Sequence, residues 1–288
     1  MSTASNYEQY VGNYRLLRNI WTGHGCQVWE AMHKTNNTRW ALKVLNPNSA
    51  GDKEQVGYLR NEYQVAAALR HPRVIQVEEF ETAADLPYMV MELYPAPNMK
   101  QRIRQGRDFV WPLASRIVRQ ATEALLYFHQ AGWVHRDIKP DNFLIADSGD
   151  IKLIDFALAQ KPQGTLARLL GGKQKKIQGT PSYISPEAIR KKPLDQRADI
   201  YSLGCVYYEL IALKPPFSGA STNDLLMKHI RSPAPTLTAV DANIRDSFAK
   251  LVQRMMSKEP NQRPQSLQDV LDVAKQGVFV VEPAKNPK

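Results

Sequence analysis

The chain has 288 residues, 43% of them hydrophobic, and 38 Lys and Arg against 28 Asp and Glu give it a net charge of +10. That length allows one large domain or two lobes around a sizeable core, and with no long apolar run and no signal-like start a membrane segment is not expected in this chain. Two cysteines, Cys26 and Cys205, make no disulfide framework, and basic residues dispersed without interleaved aromatics argue against nucleic acid as a partner.

In chain order, residues 1–10 form a polar tail. Short alternating runs then predict strands over 14–20, 27–32 and 39–45, with Asn36-Asn37 as the turn between the last two. A helix is predicted over 54–69, stopping before His71-Pro72 because the residue ahead of a proline avoids the helical region. Further strands are predicted over 75–81 and 87–92. Tyr94-Pro95-Ala96-Pro97-Asn98 is a stiff connector and marks a boundary between lobes. Beyond it the period becomes helical. Ile117, Ala121, Ala124, Leu125 and Phe128 share one face, as do Ile200, Leu203, Gly204, Tyr207, Leu210 and Ile211. Cys205 falls within that second stretch and is expected in the core. Shorter helices are predicted over 223–230, 241–256 and 266–274. The outline is α+β: a small, mainly β lobe with one main helix over 11–93, a larger helical lobe over 94–279, and a tail over 280–288.

The octapeptide His135-Arg136-Asp137-Ile138-Lys139-Pro140-Asp141-Asn142 leads into a strand-like run, a turn, a second apolar run and Asp155-Phe156. A carboxylate (Asp137), a cation (Lys139) and two oxygen donors for a metal (Asn142, Asp155) thus crowd one short hairpin. Phosphoryl transfer needs such a set: a carboxylate to orient a hydroxyl, oxygens for Mg²⁺, and positive charge for phosphate. Upstream, Leu59, Glu62, Ala66 and Leu69 repeat at helical spacing, so Glu62 lies on an apolar stripe. An inward carboxylate needs a cation, and Lys43 in the strand Trp40-Ala41-Leu42-Lys43-Val44-Leu45 is the candidate.

These motifs resemble the protein kinase superfamily, Ser/Thr type, from about Tyr14 to Ala274. Ile184-Ser185-Pro186-Glu187-Ala188-Ile189, the run Arg197 to Gly204, and Pro215-Pro216-Phe217 are most similar to bacterial Hanks-type (eukaryote-like) kinases. The resemblance implies a two-lobed kinase fold with an antiparallel N-terminal sheet. It also implies use of ATP and Mg²⁺, transfer to Ser or Thr hydroxyls of protein substrates, and autophosphorylation in trans. A cytosolic place follows, for the chain alone or as the kinase domain of a longer membrane-anchored signalling protein.

By position, the resemblance makes Asp137 the residue that orients the substrate hydroxyl, Lys139 the γ-phosphate partner, and Asn142 and Asp155 the Mg²⁺ ligands. Lys43, paired with Glu62, takes the α/β-phosphates. Ile20, Val28, Ala41 and Leu144 sandwich adenine, Met91 is the gatekeeper, and the Glu92 carbonyl and Tyr94 N–H pair with the base. Asn98 falls at the ribose position, where an acid is common. Thr180 fits the Ser/Thr class, Glu187 pairs with Arg263, and Asp199 bonds the catalytic-loop backbone. Arg136 would hold a phosphate on the activation segment, whose one hydroxyl is Thr165. Two uses of that segment stay open: an autophosphorylated Thr165, or the basic residues Lys161, Arg168, Lys173, Lys175 and Lys176 attracting an acidic substrate or partner.

The chain departs from the family pattern in two places. The glycine loop keeps only Gly23 and Gly25, with Trp21 and Cys26 at other glycine positions, and Asp155-Phe156-Ala157 replaces Asp-Phe-Gly. Two rival readings follow: a pseudokinase acting as a nucleotide-binding scaffold or regulatory module, and a small-molecule phosphotransferase. The intact set Lys43, Glu62, Asp137, Asn142 and Asp155 speaks against the first, and the docking loop through Glu187 against the second.

Overall fold

The computed structural model describes residues 10–23, 25–162 and 178–280. The chain divides into two compact units: Met1–Arg70 with Ile75–Pro95, and His71–Val74 with Ala96–Lys288.

The first unit is an antiparallel sheet with one long helix. Its strands are β1 (Tyr10–Val11), β2 (Tyr14–Thr22), β3 (Cys26–His33), β4 (Arg39–Leu45), β5 (Val77–Ala83) and β6 (Leu86–Glu92), in the order β1-β2-β3-β4-β6-β5. Alternation drives one face inward, where Val11, Tyr14, Ala31, Leu42, Val44, Tyr88 and Val90 form a core. Helix α1 (Lys53–Ala67) starts at Asp52, whose carboxylate accepts the Glu54 and Gln55 N–H groups at 2.8 and 3.4 Å. It buries Leu59, Glu62, Val65 and Ala66, the stripe that the spacing predicts.

The second unit is helical: α2 (Met99–Arg104), α3 (Arg107–Gln130), α4 (Pro186–Ile189), α5 (Gln196–Ala212), α6 (Thr222–Arg231), α7 (Asp246–Met255) and α8 (Leu267–Ala274). A hairpin of β7 (Phe143–Ile145) and β8 (Ile151–Leu153) lies within it. Residues 71–74 join this unit because the Leu153 N–H donates to Arg73 O at 2.8 Å and Arg73 pairs with Glu123 at 2.9 Å. Helix α5 is apolar almost all round and is buried accordingly, with Cys205 fully enclosed and its thiol pushed up to about 12 by burial. Gly204 lets α7 approach: a Cβ there would stand 2.8 Å from Met255 Cβ.

Some boundaries differ from the predicted ones. The helix expected from 241 starts at Asp246, after a 3₁₀ turn at Leu237–Ala239. Six residues give α2 too little length for a period to show, yet Asn98 and Gln101 cap it reciprocally. Among the described residues no helix is long and apolar enough to cross a membrane.

Candidate active site

In the sheet unit, directly opposed residues share a face. Val28 opposes Lys43 across β3–β4, and Ala41 opposes Met91 across β4–β6, so all four side chains lie on one side of the sheet. Lys43 Nζ donates to Glu62 Oε2 at 2.6 Å, with the two side chains 13% and 4% exposed. Ile20, at a register break in β2, is 46% exposed. At the end of β6 the Glu92 carboxylate accepts the Gln76 N–H at 2.8 Å and the Glu92 N–H donates to Gln76 O at 2.9 Å. Tyr94 follows, partly buried.

The glycine turn is closed by the Gly23 N–H donating to Cys26 O at 2.9 Å. A Cβ on Gly23 would fall 1.9 Å from the half-exposed Trp21 ring, so a larger residue there would have to displace the indole. Gly25 likewise faces Gln55, whose Oε1 would be 2.4 Å from an added Cβ.

In the helical unit, Phe143 opposes Leu153, which brings Asn142 and Asp155 to the same end of the hairpin. The Ile154 N–H donates to Asn142 O at 2.9 Å and closes that end. Asn142 Nδ2 donates to Asp137 O at 2.8 Å, a bond that fixes the flip of the carboxamide. Asp137 is held through both oxygens. Oδ1 accepts the Thr180 N–H and O–H at 3.0 and 2.9 Å, and Oδ2 accepts Lys139 Nζ at 2.5 Å. Burial opposes the charge on Lys139, but Asp137, Asp155 and Asp141 outweigh it and raise its pKa. Leu144 lies in β7, bridged to Asn98. Asn98, placed by resemblance at the ribose, has its side-chain oxygen engaged by the Gln101 N–H at 2.9 Å as the cap of α2.

Asp199 organises the backbone around this set. Its carboxylate accepts the His135 and Arg136 N–H groups at 2.7 and 2.8 Å and contacts His129 Nε2 at 2.9 Å. Burial works against its charge, yet these partners hold its pKa below the ordinary carboxylate value. Arg136 needs this anchorage: its φ of 71°, like the 66° of Asp155, is a left-handed conformation costing about 1–2 kcal/mol for a non-glycine residue. Arg136 donates to Gln178 Oε1 at 3.1 Å. Thr165 lies outside the described residues, as do Arg168, Lys173, Lys175 and Lys176. His135 is buried against Phe128 and Phe156, and burial lowers its pKa and keeps the ring neutral. Glu187 and Arg263 form a buried two-pronged pair at 2.7 and 2.8 Å.

His129 and Gln178 carry no mark in the local sequence. One sits on a helix among apolar residues, and neither belongs to a motif. Trp21 stood out only as the wrong residue at a glycine position.

Asn142 and Asp155 offer hard oxygen donors, an amide and a carboxylate. That set suits a divalent cation that completes its shell with water and phosphate oxygens. Among the described residues no group of three or more His, Cys, Asp and Glu is placed to hold a metal alone. Asp137, Thr180, Tyr183 and Ile184 also line one shared concavity.

Comparison with known proteins agrees with this arrangement. The protein kinase domain family matches residues 14–274. The chain is 33% identical over 261 residues to the serine/threonine-protein kinase PknA of Mycobacterium tuberculosis, covering 88% of this chain and 59% of that protein. It is 30% identical over 259 residues to PrkC of Bacillus subtilis, covering 90% and 39%. With pknA2 of Bifidobacterium longum, a probable serine/threonine-protein kinase, the figures are 30% over 267 residues, 92% and 35%. The chain therefore spans between about a third and three fifths of the length of these relatives. With the motifs, the two-unit α+β architecture and this match over most of its length, the chain belongs to the protein kinase domain family.

Proposed function

We propose that the chain is a Ser/Thr protein kinase that moves the γ-phosphoryl group of ATP, with Mg²⁺ as the divalent ion, to Ser or Thr hydroxyls of protein substrates. The observation that carries this reading is the hold on Asp137. Both of its oxygens are positioned by Thr180 and Lys139, beside the Asn142 and Asp155 oxygen donors. The names of the relatives, serine/threonine-protein kinases, support the same class. Residues 11–93 are assigned the nucleotide and 94–279 the metal, the chemistry and the substrate.

Bound Mg²⁺–ATP supplies the phosphoryl group and neutralises the charge that develops on it. Asp137 orients the incoming hydroxyl and takes its proton at a carboxylate oxygen. Lys139 offers its ammonium to the transferred phosphate. Asn142 and Asp155 hold the metal, and Glu62 keeps the Lys43 ammonium in place for the α- and β-phosphates. Catalysis of this kind is mostly placement and charge stabilisation. Autophosphorylation in trans at Thr165, held by Arg136, belongs to the same proposal.

Transfer of labelled γ-phosphate to a generic Ser/Thr-rich protein tests the reading. Asp137→Asn should slow transfer by about 10²–10⁴-fold. A variant as fast as the natural chain would contradict it.

A further inference from the structure

Glu209 is a buried carboxylate that the chemistry above does not use. It sits on α5, 1% exposed, and accepts a bond from Tyr183 Oη at 2.6 Å. Its other oxygen is paired with Lys100 Nζ, and Lys100 also reaches Tyr183 Oη at 3.3 Å. Burial first, then the bond to Glu209, drives the Tyr183 pKa far above its ordinary value, so the hydroxyl remains a donor. Lys100 stands in the first turn of α2, where the helix dipole disfavours a cation, so its place there follows from Glu209 rather than from the helix.

Two facts tie this cluster to the substrate side. Tyr183 lines the same concavity as Asp137 and Thr180. The Lys100 side chain is 30% exposed while that of Glu209 is 2% exposed, so of the pair Lys100 is the residue a visitor meets. Exposed Asp141 also acts on the Tyr183 hydroxyl, so a second carboxylate stands near that group.

We propose that Lys100 is a specificity-determining residue: as the chain's own cation, seated on the Glu209 carboxylate beside the docking segment, it denies that carboxylate to basic side chains of a protein substrate. The inference rests on the kinase reading and narrows its substrate class to Ser/Thr segments whose neighbours are neutral or acidic. One cation satisfies a buried carboxylate. A second, brought by an Arg or Lys of the substrate, meets the like charge of Lys100 where the Glu209 carboxylate is already engaged. Removing Lys100 uncovers an acidic slot of the opposite preference.

The test uses three serine peptides that differ only in the residues flanking the serine: Ala, Arg or Glu. Transfer rates are measured for the natural chain, for Lys100→Met and for Lys100→Met/Glu209→Gln. Affinities for the matching peptides with Ala in place of the acceptor serine are read by fluorescence anisotropy. The natural chain should favour Ala and Glu flanks over Arg. Lys100→Met should raise the Arg-to-Ala ratio of kcat/KM, and of affinity, about tenfold. The double variant, with no charge left in the slot, should lose that gain. An Arg-to-Ala ratio equal within twofold in the natural chain and Lys100→Met overturns the proposal, as does a gain that survives in the double variant. A shift seen in affinity while no peptide is phosphorylated would sink the kinase reading and keep the slot.

Discussion

Arg263 and Glu187 meet through two parallel N–H···O bonds, with the arginine side chain 0% exposed. The remaining guanidinium donors go to the Ser257, Arg197 and Lys258 carbonyls. One residue thus ties α4, α5 and the 3₁₀ turn at Pro260–Gln262 together. Arg263→Met leaves the Glu187 carboxylate buried without its cation, and chemical denaturation should show a loss of about 3–5 kcal/mol. Arg263→Lys recovers little, because an ammonium cannot make the forked contact.

Lys43 and Glu62 separate stability from activity. Glu62→Gln removes the negative charge that answers the Lys43 ammonium in this buried pair and should cost about 3 kcal/mol on unfolding. Lys43→Met/Glu62→Leu replaces the pair with apolar groups and should regain most of that stability while phosphate transfer stays low. Recovery of activity in this double variant would remove Lys43 from the proposed chemistry.

Thr180 gives Asp137 an N–H and an O–H. Thr180→Ala keeps the first and loses the second. Because hydrogen bonds to a charged group are worth about 1.5–3 kcal/mol, transfer should fall about 10- to 100-fold. Thr180→Ser should keep near-natural rates, and circular dichroism should show both variants folded.

The hairpin half of the candidate site was legible in the sequence because its residues are local. Eight consecutive positions and a short hairpin fix Asp137, Lys139, Asn142 and Asp155 within one turn of chain. Glu62 was legible through helical period, since an acid on an apolar stripe has to be answered. Long-range partners outside the family motifs were not. His129 reaches Asp199 across 70 positions, and Lys100 reaches Glu209 across 109, with no pattern that local spacing could reveal. Helix α2 escaped for a different reason: it is set by a cap and by packing rather than by period.

Ala157 is one of the chain's own departures. It has no left-handed φ here, whereas the preceding Asp155 does. Glycine would widen the conformations open to this turn. Ala157→Gly should increase affinity for inhibitors that select an alternative conformation of the Asp155-Phe156 turn, which glycine makes more accessible. Unchanged affinity together with unchanged activity would remove any role for the alanine.

His229 makes stability depend on pH. It is fully buried with the Tyr201 hydroxyl 2.9 Å from Nδ1, and burial, then the nearby Lys258 charge, lower its pKa to about 4. A histidine depressed in the folded state favours folding above its unfolded pKa and gives up that contribution as pH falls toward the folded one. Stability should therefore drop by about 3 kcal/mol between about pH 6.5 and 4. Thermal unfolding across that window should show a steeper loss for the natural chain than for His229→Gln.

The most direct measurement is single-turnover transfer of the γ-phosphate of ATP to a serine peptide as Mg²⁺ is titrated, in the natural chain and in Asp155→Asn. The predicted result is metal-dependent transfer that Asp155→Asn slows by at least about 10²-fold at every Mg²⁺ concentration. Transfer by the natural chain without any divalent ion, or an Asp155→Asn variant as fast as the natural chain, would contradict it.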